Sequence, residues 1–162
     1  MGLLNFVREA GEKLFGRKEV EAAATDDSAA DKLADLNQKA AAAILAYVDK
    51  QGLDTSGLQV SFDGVSSTVT VAGTVADQAT KEKVLLCCGN VEGVDKVDDQ
   101  LAVTHPEPEG RFHTVVRGDT LSAIAKTCYG NANAYMKIFE ANKPMLSHPD
   151  KIYPGQVLRI PA

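Results

Sequence analysis

The sequence predicts an α+β chain built as two small domains: helices packed on a small three-stranded sheet, then a βααβ unit. Three observations carry this. Apolar spacing switches repeatedly between the helical period and period two. The segment His105-Pro106-Glu107-Pro108-Glu109-Gly110 separates two such patterns as a stiff linker. The charge divides at the same place: residues 1–105 carry 10 basic and 17 acidic side chains (−7), and residues 111–162 carry 7 and 3 (+4).

The elements follow in order. Residues 3–15 place Leu3, Val7, Ala10 and Leu14 on one helical stripe, so 1–16 reads as a short N-terminal amphipathic helix interrupted by Gly11. Helices this short are marginal in water, and this one needs a surface to dock on. Residues 17–30 are polar and alanine-rich, without a stripe, and read as a mobile connector. From Asp31 the stripe returns at Leu33, Leu36, Ala40, Ile44 and Val48, with Asp31 or Ser28 as cap and Gly52 beyond the end. Leu58, Val60 and Phe62, then Val69 and Val71, alternate around the turn pair Asp63-Gly64, which predicts a hairpin whose second strand ends at Gly73. A helix over 76–88, capped by Asp77, breaks at Gly89-Asn90-Val91-Glu92-Gly93, and Val94, Val97, Leu101 and Val103 form a last extended segment. After the linker come a strand at Phe112–Val116, a turn at Arg117-Gly118-Asp119, and a helix capped by Asp119 or Thr120. A second helix bears Tyr135, Ile138 and Phe139, and a closing strand spans Val157–Ile160.

Composition narrows the function classes. The chain has 162 residues, 44% apolar and 24% charged, with a net charge of −5. That acidic balance argues against non-specific nucleic-acid binding. No apolar run approaches the ~20 residues of a membrane span. Arg8, Glu9, Glu12 and Lys13 interrupt any secretory core, and Phe6 stands where a myristoylation signal wants Ser or Thr. A cytoplasmic monomer is therefore expected. Cys87, Cys88 and Cys128, odd in number and without C-x-x-C spacing, point to buried structural thiols rather than disulfides or zinc.

No catalytic residues are expected. No nucleophile elbow or phosphate-cradling glycine loop occurs, and His105, His113 and His148 read as surface residues. Asp98-Asp99 could serve acid/base work, but reads as an exposed charge pair.

The block His113–Ala125, then Ile138-Phe139-Glu140-Ala141-Asn142, then Ile152–Pro161 resembles a LysM domain over 111–162, which implies the βααβ fold. Residues 31–104 resemble a BON domain, through Val69–Val75, a helix, and Val91–Leu101. Met1–Val7, Tyr129–Asn133 and Asn142–Leu146 extend the likeness to the bacterial cytoplasmic potassium-binding proteins of BON–LysM architecture. The chain departs from that pattern at 17–50, where it is alanine-rich and longer.

Potassium is large and weakly hydrated, and main-chain carbonyls can replace its water shell. Helix C-termini and glycine-bearing loops supply unpaired carbonyls, and Gly89–Val94 is both. The resemblance implies that this loop and the end of the first segment wrap K⁺ through the carbonyls of Val7, Ala10, Gly89, Val91 and Val94. The LysM likeness carries a runner-up: a groove for N-acetylglucosamine polymers formed by Gly118, Asp119, Thr120 and Leu121 with Ile152 and Tyr153, which a cytoplasmic address disfavours. A third class, membrane binding, is disfavoured because the polar face of 3–15 mixes both charge signs.

Overall fold

The protein is described by a computed structural model covering residues 2–161. Its first sheet has four strands in the order β1-β4-β3-β2: β1 Gly2–Asn5, β2 Leu58–Asp63, β3 Thr68–Asp77 and β4 Lys96–His105. β2 and β3 form the expected hairpin, with Val60 opposite Val71. β3 and β4 are parallel, a pairing that requires a crossover. Helix α3 (Gln78–Gly89) supplies it. Along these strands Leu58, Phe62, Val69, Val71, Val97 and Leu101 turn inward and meet Ile44 and Val48 of helix α2 (Ala30–Lys50) and Val84 and Leu85 of α3. Alternation therefore puts both helices on one face of the sheet.

Four expectations need correction. The N-terminal segment is not a helix: β1 pairs antiparallel with the edge of β4, Leu3 opposite Asp98. Its other period wins. Leu4 and Phe6 face in, while Leu3 and Val7 stay exposed, because β4 offers backbone partners that an isolated short helix lacks. The expected connector 17–30 contains helix α1 (Arg17–Ala24) and a 3-10 turn at Asp27–Ala29. Val20 and Ala23 of α1 are buried, and Val20 joins the first core. α2 begins at Ala30 without a side-chain cap; Asp26 instead receives Ser28 N–H at 3.0 Å in the preceding turn. Finally, β3 continues past Gly73 to Asp77. Gly73 has φ +128°, and a Cβ there would lie 1.9 Å from the Gly57 carbonyl oxygen, so it bends the strand without ending it. Asp77 does cap α3, accepting Thr80 N–H at 2.7 Å.

The second domain is a two-stranded antiparallel sheet, β5 (Arg111–Thr114) and β6 (Val157–Ile160), with helices α4 (Leu121–Tyr129) and α5 (Tyr135–Ala141). Thr120, not Asp119, caps α4. β6 is buried on both sides. Leu158 and Ile160 enter the core with Ile124, Ala125 and Ile138, while Val157 joins the core of the first domain. Arg159 also faces the first domain, where its Nε donates to Glu82 Oε1 of α3 at 2.5 Å. Glu82 Oε2 accepts the Gly110 N–H at 2.9 Å and Gln78 at 3.1 Å. α3 is thus covered by the sheet on one side and by β6 on the other. The opposite charges of the two halves meet in a buried pair.

Asp99 also departs from expectation. It is buried and paired with Lys81 at 3.1 Å, whereas Asp98 lies on the other side of the strand and accepts from Gln100. Cys87 and Cys88 are buried and free, and Cys128 is free but only half-buried. Among the described residues no helix is long and apolar enough to cross a membrane.

Removing Arg159 alone strands the Glu82 carboxylate, whose side chain is 2% exposed. Arg159→Met should cost about 3–5 kcal/mol, read as a lower urea midpoint, while Glu82→Leu combined with Arg159→Met should regain most of it.

Candidate cation site

Three irregular segments meet at the C-terminus of α3. The first is the loop after β1. Phe6 N–H donates to Asp95 O at 2.8 Å, Ala10 N–H to Val7 O at 3.0 Å, and Glu12 N–H to Asn90 O at 2.9 Å. The second is 89–94. Glu92 N–H returns to Glu12 O at 2.9 Å and Gly93 N–H donates to Arg8 O at 2.7 Å. The two loops are therefore laced by backbone, and Arg17 holds Glu92 from α1 at 3.2 Å. The third is the turn Tyr153–Gln156 of the second domain, where Gly155 N–H donates to Val115 O at 2.8 Å.

Glycine permits the close approach of all three. A Cβ at Gly11 (φ +109°) would sit 2.5 Å from Asn90 C. At Gly89 it would enter the Phe6 ring at 2.1 Å, and at Gly155 it would meet Ala10 Cβ at 2.7 Å. Gly89 is the last residue of α3, and Asn90, with φ −80° and ψ 50°, is its C-cap.

The structure brings Val7 and Ala10 to one loop and Gly89, Val91 and Val94 to the loop laced against it. The carbonyls of Ala10, Gly89 and Val94 take part in no hydrogen bond among the described residues, and those of Val7 and Val91 each accept one turn bond. Val91 and Val94 are fully buried. Unpaired carbonyls at a helix C-terminus carry partial negative charge, and buried ones require a partner. No group of three or more His, Cys, Asp or Glu among the described residues is placed to hold a metal. The donor set is main-chain oxygen, which suits a large, weakly hydrated monovalent cation. Burial pushes the Cys87 thiol and the Tyr153 phenol each up to about 12, and raises Tyr47 and Cys88 as well. Glu12 lies close enough to raise both phenols further.

The residues expected for a sugar groove separate. Asp119 Oδ2 is held by Val116 N–H at 3.0 Å and His113 Nε2 at 2.9 Å. These bonds, the backbone one foremost, lower its pKa. Thr120 and Leu121 line a cleft of about 410 Å³ with His148, Pro149 and Asp150; Ile152 and Tyr153 do not line it. Tyr153 is instead half-buried, with Glu12 of the first domain near enough to raise its phenol. Sequence reasoning missed Glu12 and the Tyr153–Gly155 turn as parts of the cation region. Gly11, which interrupts the apolar stripe and sits with φ +109° against Asn90, was the available signal.

The BON domain family model matches residues 33–105 and the LysM domain model matches residues 113–161. The chain is similar to the "Potassium binding protein Kbp" of Escherichia coli O6:H1, with 47% identity over 161 residues and 99% of each chain covered. It is also similar to an uncharacterized protein of Deinococcus radiodurans, with 42% identity over 82 residues, 44% of this chain and 32% of the other.

The Gly89–Phe6 contact generates a test. Gly89→Ala should lose about 1–3 kcal/mol by overpacking, and hydrogen exchange should show residues 2–12 released before the rest of the sheet.

Proposed function

This chain belongs to the Kbp family of BON–LysM proteins, and on that premise we propose that it is a non-enzymatic potassium-binding protein. The ion is held by the main-chain oxygens of Val7, Ala10, Gly89, Val91 and Val94. The observation that supports this reading is the trio of unengaged carbonyls at Ala10, Gly89 and Val94 on two laced loops. These residues would exchange the waters of K⁺ for fixed dipoles, those of α3 among them. The small ion Na⁺ would leave the ring too wide and keep its water.

Binding changes the docking of the two domains. Gly155 of the second domain touches the Ala10 and Val7 side chains, so drawing the Val7–Ala10 loop onto an ion alters the surface against which that turn packs. A ligand that binds only the docked form stabilises it by mass action.

A second reading takes N-acetylglucosamine polymers in the cleft of Thr120, Leu121 and His148–Asp150, an observed opening of suitable polarity on a LysM fold. It leaves the cation region untouched, so one protein sample tests both.

At constant ionic strength, replacing Na⁺ by K⁺ should raise the melting temperature and shift the amide signals of Gly11, Asn90 and Asp95, each next to a ligand carbonyl. No K⁺-specific change would sink the reading. Signals confined to Ser122 and Asp150 on adding chitooligosaccharide would support the cleft.

A further inference from the structure

We propose that Asn90 is the positioning residue through which the second domain fixes the cation loops, an inference that rests on the potassium reading above. Asn90 is 4% exposed and holds three elements at once. Its N–H closes α3 on Leu86 O at 2.9 Å, and its carbonyl takes Glu12 N–H at 2.9 Å. Its side chain pairs with the backbone of Val157 in β6: Oδ1 accepts Val157 N–H and Nδ2 donates to Val157 O, both at 2.8 Å. A carboxamide carries one acceptor and one donor group like a peptide unit, so Asn90 extends the small sheet as though it were a one-residue strand.

The same device occurs once more on that edge, which makes a control. Two residues along β6, Asn142 Oδ1 accepts Arg159 N–H at 2.7 Å and Asn142 Nδ2 donates to Arg159 O at 2.9 Å. Period two puts Val157 and Arg159 on one edge, and β5 occupies the other. The outer edge of β6 is thus closed by two asparagines. Asn142 comes from the strand's own domain and Asn90 from the other domain.

Asn90 lies between Gly89 and Val91, so the position of its backbone sets where both of those carbonyls point. Gly155, two residues before Val157, presses on Ala10 and Val7. A shift of β6 therefore moves carbonyls on both loops. Coupling of this kind is reciprocal: docking tightens K⁺ by the factor by which K⁺ tightens docking.

The experiment uses the full chain, with K⁺ affinity from calorimetry and domain compaction from small-angle scattering, each with and without K⁺. Asn90→Ala should weaken K⁺ binding by about tenfold, within the usual range of coupling between sites, and abolish the K⁺-dependent compaction. Asn142→Ala should lower the melting temperature of the second domain while leaving K⁺ affinity within about twofold. If Asn90→Ala does not fold, Asn90→Ser, whose hydroxyl cannot reach both Val157 groups, is read the same way. Wild-type affinity in the Asn90 variant, or equal loss in the Asn142 variant, overturns the proposal alone. A wild type silent to K⁺ overturns the potassium reading and the proposal with it.

Discussion

Helix α3 is enclosed on both faces, and the rest of the molecule is arranged around that enclosure. Nine of its twelve residues are buried, including Gln78, Lys81 and Glu82. A helix at the surface of a two-layer domain would keep a polar stripe in water. Here its two buried charges have partners on either side: Lys81 pairs with Asp99 of β4, and Glu82 with Arg159 of β6. Buried charges stay ionised only when paired. The second domain is consequently not an appendage, because it supplies the guanidinium that pairs with the buried Glu82 carboxylate. The same burial isolates the helix C-terminus. Its last carbonyls lie where solvent is scarce and dipoles act at short range.

That arrangement explains which features were legible in the sequence. Period-two and helical stripes record burial against one neighbour. They placed α2, the β2–β3 hairpin, the crossover helix, β4 and the βααβ unit because each of those elements has one apolar face. They gave no account of α3's polar residues, nor of which core each side of β6 meets, where Val157 and Leu158 face different ones. A strand buried on both sides gives no alternation to read. The N-terminal segment failed for another reason. Leu3, Val7, Ala10 and Leu14 fit a helix, but Leu4 and Phe6 equally fit a strand, and only the tertiary edge of β4 decides between them.

The candidate site was partly legible. A glycine-rich break after a helix is visible in one dimension, and it directed attention to Gly89–Val94. The loop that crosses it was found only through the family resemblance, and for a segment read as helical. What periodicity could not show is that Gly11 is needed where two backbones touch, or that Asn90 reaches across a domain boundary 67 residues away in sequence. Asparagine beside glycine reads locally as a turn. Its donor and acceptor pair had no predictable destination until β6 was placed.

A site made of backbone imposes its own logic on evolution and on folding. Side-chain ligands can be changed one at a time, but carbonyl ligands move only when the chain moves. At the proposed site, selectivity among monovalent ions would therefore reside in whatever holds the backbone: the glycines that let the loops approach, the Phe6 ring against Gly89, the Arg17–Glu92 pair, and the Asn90 bridge to β6. Of these groups only Gly89 is proposed to touch the ion, through its carbonyl. They set how far apart its oxygens can stand, and a ring that neither collapses nor widens is what distinguishes a large cation from a small one. The second domain contributes to the same end by bracing both loops at once, through Val157 on one and Gly155 on the other.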